Sequence, residues 1–488
     1  MSATESEFEL PTNRGLFFGG EWRSPLGGYA MTVNPATQEI LGPVSVANRE
    51  DVDLAVQAAH TAFQSWKKTK PLERAQLLVK LASKVRAHAE EFAWLDSLNC
   101  GNPIKEMRRD AVIAASQIEY FAGLVHETKG DTVPMGDGIL NYTLREPLGV
   151  VARIVAYNHP LMFLASKLAP VVAAGNTVIM KPPAQAPLSA YLLAELVSEV
   201  FPPGVINIIS GDRECGEALV AHPLVKKAAL IGSTQTGAAI LKGAADKIMP
   251  VTLELGGKNP LVICEDADLD KAIQGAVSGM NFLWAGQSCG STSRLFVHRS
   301  VYERVLSAMK ELIAAQHKCG IPTDPETTMG CLISEPQFNK VMAFIEDTKA
   351  EGARLICGGG RPADPALAKG WFVEATVFAD VTPEMRLFRE EVFGPVLAVI
   401  PFDDEEVLLE QINSVEYGLT ASIWTKDLAR AHRLASRIES GFVWVNYVSS
   451  HFIGAEFGGY KKSGMGREEG LSELLSYTQT KNVHVLLT

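Results

Sequence analysis

The chain predicts an α/β fold of two doubly wound, largely parallel bodies with a small β element attached. Three observations predict it. Apolar strand-like runs alternate with helical stretches from Gly149 onward, and a second series of the same kind begins near Gly256. Strands separated by helices pair in parallel and carry helices on both faces of the sheet. The chain has 488 residues, 47% of them apolar. That is ample for roughly three units of ~150 residues, with inserted segments lowering the number of independent ones.

The start, Met-Ser-Ala-Thr-Glu-Ser-Glu-Phe-Glu, has no basic end and no apolar segment. It predicts a short solvated tail and no secretory signal. Residues 16–48 predict short strands and turns, punctuated by Gly19-Gly20, Gly27-Gly28 and Asn34-Pro35. Asp51 opens an amphipathic helix in which Val52, Ala55, Val56, Ala59, Phe63 and Trp66 fall near helical spacing. Pro71 starts a second, with Leu77, Leu78, Leu81 and Val85 on one face. More helix is expected from Ile104 to about Val125. Residues 131–146 form a polar hairpin, with strand-like alternation in Leu140-Asn141-Tyr142-Thr143-Leu144-Arg145. It is either an excursion from the main body or an ordinary surface hairpin.

The first body then follows as strand 150–156, helix 161–174, strand 176–181, helix 187–200, strand 205–209, helix 212–221 and strand 228–231. The second is expected to contain strands 261–263, 295–297, 396–400 and 421–424. Residues 482–487 read as a last strand, pairing with the hairpin near 140 or with another subunit.

A net charge of −11 argues for a soluble protein and against a phosphate-binding surface for nucleic acid. The most apolar stretch, Leu161 to Met180, holds Lys167, Pro170, Gly175 and Asn176, so no bilayer-spanning run is expected. Seven scattered cysteines with no Cys-x-x-Cys pair predict a reducing compartment, no disulfide framework and no structural zinc.

Ligands of doubly wound sheets bind beyond the carboxyl ends of the strands, which singles out Asn158, Lys181 and Gly232. Cys289 stands among Gly286, Ser288, Gly290 and Ser291, small residues that leave room around its sulfur. Attack requires the thiolate, so its ordinary pKa of ~8.5 must fall; the alternative is a small buried hydrophobe. Gly232-Ser233-Thr234-Gln235-Thr236-Gly237 follows a strand and opens a helix at about 237–247. It suits a phosphate, although it has neither dinucleotide-fold nor Walker spacing, and a tight turn fits it too. Lys181 is placed either to meet a ribose hydroxyl or to cap its strand in solvent. Glu254, between Leu253 and Leu255, sits in an apolar setting that makes a carboxylate a usable base near neutrality. Asn158 offers an amide to an oxyanion or forms a turn. In Glu390-Glu391-Val392-Phe393-Gly394-Pro395, Glu391 can hold a ribose and Phe393 a nicotinamide ring; a loop of solvated acids is the alternative.

Together with Asn34-Pro35-Ala36-Thr37, the run 457–464 and Gly466-Arg467-Glu468, these segments resemble the aldehyde dehydrogenase superfamily over nearly the whole chain. The Glu254 and Cys289 segments, in this order and about 35 residues apart, carry most of the specificity. The resemblance implies two Rossmann-like domains. A nucleotide-binding domain would span 1–125 and 146–256, and a catalytic domain 257–450. An oligomerisation element would span 126–145 and 471–488, in a cytoplasmic homodimer or homotetramer. It implies Cys289 as nucleophile, Glu254 as the base that activates water, and Asn158 with the Cys289 N–H as oxyanion hole. The implied cofactor is NAD or NADP, held by Ala156, Tyr157, Lys181, Ala184, Gly232, Ser233, Gly237, Leu255, Glu391 and Phe393. The implied aldehyde pocket comprises His159, Phe163, Ser166, Leu283, Trp284, Ser288, His451 and Phe457, with no metal. Oxidation would pass through a thiohemiacetal and a thioester to the free acid. A CoA-acylating relative is disfavoured by Glu254. A non-catalytic scaffold protein is disfavoured by the intact set of Cys289, Glu254, Asn158 and Lys181.

Three departures from the family pattern matter. Tyr157 and His159 replace common tryptophan and phenylalanine. Ser166 stands where bulky aromatics often narrow the tunnel, and a wider, more polar pocket is expected. Ala184 replaces a glutamate frequent in NAD-preferring relatives, so both cofactors are expected to work.

Overall fold

The computed structural model describes residues 8–487, so the expected tail lies almost entirely outside the described residues. The helix Arg49–Trp66 starts just before Asp51 because Asn48 accepts from the N–H groups of Glu50 and Asp51 while the Asp51 side chain returns to the Asn48 N–H. This reciprocal cap ends the fraying that unpaired first-turn donors allow. Pro71 is the first residue of Pro71–Ala87. A break at His88 separates Ala89–Cys100, a helix that no glycine or proline announces. Gly101, at φ +86, ends it; a Cβ there would lie 2.6 Å from Cys331 Sγ. Ile104–Gly123 follows.

The first sheet has eight strands. Five are parallel, in the spatial order Ile206–Ile208, Thr177–Lys181, Val150–Ile154, Val225–Ile231 and Val251–Glu254. The antiparallel pair Leu16–Phe18 and Glu21–Arg23 extends one edge. At the other edge Gly464–Met465 returns from the far end of the chain, with Gly464 opposite Glu254. Helices cover both faces, and the apolar core divides accordingly. Neither edge strand by Glu254 was expected from the sequence. One is four residues long and the other two, too short to show alternation.

The second sheet has seven strands. Its centre is Val396–Phe402, Arg294–His298, Pro260–Ile263 and Thr420–Trp424, all parallel, as expected. Thr376–Ala379 and Phe442–Val445 join in parallel, and Arg354–Cys357 joins antiparallel. One large apolar cluster surrounds it. A third sheet pairs Ile139–Pro147 with Thr132–Val133 and with Thr478–Leu486, Thr478 opposite Pro147 and Leu486 opposite Ile139. The last strand therefore pairs with the hairpin of its own chain, one of the two expected arrangements.

All seven cysteines are free. Among the described residues no helix is long and apolar enough to cross a membrane, and no group of three or more His, Cys, Asp or Glu is placed to hold a metal ion.

Candidate active site

Strand register builds the site. Ile154 is opposite both Lys181 and Leu230, and Ile231 is opposite Glu254. The carboxyl ends of four adjacent strands thus lie level, with Asn158, Lys181, Gly232 and Glu254 at or just past them. Residues 255–259 then carry the chain directly into Pro260–Ile263. The carboxyl edge of the first sheet therefore faces the amino edge of the second, where Cys289 precedes Arg294.

The Cys289 loop is held under backbone strain. Asn281 and Ala285 take left-handed φ values of 56° and 50°, an arrangement that persists only when neighbours enforce it. The Asn281 carbonyl accepts from the N–H groups of Trp284 and Gly286. Asn259 Nδ2 donates to the carbonyls of Cys289 (2.7 Å) and Ser291 (3.0 Å), and its Oδ1 accepts from Thr420. Gln287 bonds Cys331 and Ile333. Sequence reasoning missed Asn259 and Gln287, since each acts through partners remote in the chain. Gly290 leaves open space toward Ser288, as expected. Gly286 does not, because a Cβ there would lie 2.2 Å from the Gly394 carbonyl. Its smallness serves loop packing.

Cys289 and Ser288 are half-buried. Among the described residues the Cys289 N–H has no acceptor. The Asn158 side-chain amide likewise has no partner, while its carbonyl is fixed by Asn102 Nδ2 at 2.8 Å. Burial pushes the Cys289 thiol up to about 12, and the carboxylates of Glu391, Glu254 and Glu469 push the same way. The expected lowering of the thiol pKa is therefore not found.

Glu254 is buried, with neither carboxylate oxygen hydrogen-bonded. Burial first, and the nearby Glu468 second, raise its pKa well above the ordinary carboxylate range. This is the apolar setting expected of a base. A Cβ on Gly458 would lie 2.9 Å from its Oε1, so only glycine leaves the carboxyl room. Beneath it lies a buried ionic network absent from the sequence reading. Glu468 pairs with Arg153 at 2.5 Å and Lys167 at 3.0 Å, and Lys167 lies 3.4 Å from Glu473.

On the nucleotide side, Lys181 is buried and its Nζ makes a single bond, to the Pro182 carbonyl at 3.3 Å. Burial lowers its pKa. Ala184 is exposed; Ala156 and Tyr157 are half-buried. Tyr157 meets Phe393 edge to face at 5.9 Å. Phe393 adopts φ 54°, fixed by Gln337 Nε2, which donates to the carbonyls of Val392 and Phe393. Glu391 Oε1 accepts from the Gly257 N–H at 2.9 Å, and a Cβ on Gly256 would overrun Glu391. The helix after Gly232 is Thr234–Ala245, starting earlier than expected because the Ser233 side chain caps it. Gly237 is corrected in kind. A Cβ there would lie 2.8 Å from Leu255 Cδ1, so its smallness lets the helix pack on Leu255. Leu255 in turn is buried, and its N–H is bound by Ser463.

On the aldehyde side, His159 is buried with Nδ1 2.7 Å from Asp110 Oδ2. Its ring meets Phe163 and Trp284 edge-on. The buried Ser166 hydroxyl donates to the Met162 carbonyl. Its polar atom is therefore taken up within its own helix. Leu283 and Trp284 are half-buried. Phe457 is buried and bridged to Glu468, and His451 lies against it at 4.4 Å.

An unpartnered amide and an unpartnered carboxyl at the carboxyl edge of a parallel sheet, with a half-buried thiol on the loop before a strand of the second sheet, are the parts of an enzyme that handles a carbonyl compound covalently beside a nucleotide. The chain belongs to the aldehyde dehydrogenase family, matched over residues 22–483. It is 48% identical over 488 residues to aldehyde dehydrogenase tropH of Talaromyces stipitatus, covering 99% of this chain and 95% of that one. It is 41% identical over 455 residues to the betaine aldehyde dehydrogenase of Cereibacter sphaeroides, with 93% of each chain covered. The NAD+ complex of an aldehyde dehydrogenase from Bacillus cereus superposes with a TM-score of 0.94 at 41% identity, covering 99% of this chain and 97% of that one. The protein is an NAD(P)-dependent aldehyde dehydrogenase with the two-domain Rossmann-like architecture of those relatives.

Proposed function

We propose that Cys289 is the nucleophile, Asn158 and the Cys289 N–H the oxyanion hole, and Glu254 the base of the hydrolytic step. One observation carries this reading. Among the described residues the Cys289 N–H, the Asn158 side-chain amide and the Glu254 carboxyl are each left without a hydrogen-bond partner. The thiol gives its proton to solvent as the sulfur adds to the aldehyde carbon, and the Asn158 amide and the Cys289 N–H receive the oxygen as it becomes negative. Bound NAD(P) supplies the hydride acceptor. Glu254 then takes a proton from water, whose oxygen attacks the thioester carbon; the carbon–sulfur bond breaks and the acid leaves.

The residues present fit the cofactor. Lys181 has donors to spare for ribose hydroxyls, Glu391 keeps one oxygen free, Phe393 is fixed for ring contact, and Gly232 and Ser233 open a helix whose N-terminus suits the pyrophosphate. With Ala184 exposed and uncharged, a 2′-phosphate meets no acid at that position, and both NAD and NADP serve. The domain division into 1–125 with 146–256, 257–450, and 126–145 with 471–488 is retained as our reading. The third sheet presents an edge for a cytoplasmic homo-oligomer.

The test is aldehyde-dependent nicotinamide reduction by wild type and Cys289→Ala with each cofactor. The variant is expected to lose at least about 10⁴-fold in kcat; retained activity contradicts the assignment. An NADP efficiency more than about a thousandfold below that of NAD contradicts the cofactor reading.

A further inference from the structure

Two histidines of the aldehyde pocket implied by the sequence are each fixed by a carboxylate. His159 Nδ1 lies 2.7 Å from Asp110 Oδ2, and His451 Nδ1 lies 3.1 Å from both oxygens of Glu469. A carboxylate on Nδ1 sets the ring's orientation and leaves Nε2 to meet an occupant of the crevice. Among the described residues neither Nε2 has a hydrogen-bond partner, and that of His159 is not sealed from solvent. The other neighbours of both rings are aromatic. Phe163 and Trp284 lie 5.4 and 4.8 Å from His159, and Phe457 lies 4.4 Å from His451.

The two groups meet through Lys167. His159 caps the helix Pro160–Ala173, on which Phe163 and Lys167 follow at helical spacing on one face. Lys167, His451 and Glu469 act on one another electrostatically, and Glu469 acts on both Cys289 and Glu254. The His451 side chain keeps 39% of its surface open, so it stands at the mouth. Burial opposes its protonation, yet Glu469 raises its pKa above the ordinary value.

Resting on the catalytic reading above, we propose that the substrate is an aromatic aldehyde carrying a ring hydroxyl remote from the aldehyde group. Its ring packs between Phe163, Trp284 and Phe457, and its hydroxyl forms a hydrogen bond with His451 Nε2. Glu469 is a positioning residue, acting through His451. An alkyl aldehyde has nothing to offer that nitrogen.

The experiment measures kcat/KM of the full chain with NAD for 4-hydroxybenzaldehyde, benzaldehyde and hexanal, in wild type, His451→Phe and Glu469→Gln. Wild type is expected to favour the hydroxylated ring over benzaldehyde by about tenfold, the worth of one hydrogen bond, and over hexanal by more. His451→Phe brings the first ratio near unity. Glu469→Gln lowers it through KM for the hydroxylated substrate, whereas a merely structural role would move both aromatic substrates alike. A wild-type ratio near unity, preference for hexanal, or a ratio unchanged in both variants overturns the proposal. Cys289-dependent oxidation of hexanal without aromatic preference overturns it while leaving the catalytic reading intact. No Cys289-dependent turnover of any aldehyde overturns both.

Discussion

Arg153 and Arg294 are both fully buried on strands of the two parallel sheets, and they are stabilised in opposite ways. Arg153 lies 2.5 Å from Glu468, and the buried carboxylates around it raise its pKa against the cost of burial. Arg294 has no carboxylate. It donates to the carbonyls of Lys258, Gln411 and Ile412 and lies over the rings of Phe296 and Phe388, and burial lowers its pKa to about 9. In the first sheet a buried cation belongs to an ionic network that reaches Glu254. In the second, a buried cation ties a strand to neighbouring backbone. The contrast separates two arrangements: one sheet carries a buried ionic network beside Glu254, the other a cation held by backbone carbonyls and aromatic rings.

Breaking the two arginines sharpens this contrast most. Arg153→Met leaves Glu468 buried beside Lys167 alone and is expected to cost about 3–5 kcal/mol of stability, part of it recovered by adding Glu468→Gln. Arg294→Met leaves carbonyls unpaired without orphaning a charge, and is expected to cost about 1–3 kcal/mol. Urea unfolding of the three variants checks the order. Equal losses, or no recovery in the double variant, would erase the distinction.

Asn158→Ala tests the first sheet's polar edge. It is expected to lower kcat by about 10²–10³-fold with little change in unfolding, as for loss of one oxyanion donor. Steady-state kinetics on one aldehyde decides it, and a loss confined to KM would move Asn158 out of the reacting centre.

The smallest effect is a shape. Glu254 acts as a base only when deprotonated, and burial with Glu468 nearby raises its pKa. The hydrolytic rate should therefore climb with pH beyond the ordinary carboxylate range. A wild-type rate flat from about pH 5 to about pH 9 would show that Glu254 is not the titrating base.

Much of the first sheet was legible in the sequence because its strands are apolar runs of five to seven residues ending in chemically distinctive side chains. Strand-end logic alone singled out Asn158, Lys181 and Gly232. The parts that lock the site were not legible. Asn259 reaches Cys289 and Thr420, and Lys167 reaches Glu468 and Glu473. Such bonds join segments far apart in the chain and leave no periodic trace. The expected lowering of the thiol pKa failed for a related reason. Small neighbours promise space around a sulfur, but burial first, and then carboxylates that arrive from more distant segments, Glu391 and Glu469 among them, raise its pKa. Gly237 and Gly286 show the same gap, for a glycine's smallness serves packing as readily as a ligand.

The most direct measurement is a single turnover of Glu254→Gln with aldehyde and NAD, followed by intact and peptide mass spectrometry. The account predicts about one reduced nicotinamide per site and an acyl group retained on Cys289, because addition and hydride loss proceed while hydrolysis stalls. Continuous turnover at the wild-type rate, or an acyl group on any other residue, would contradict it.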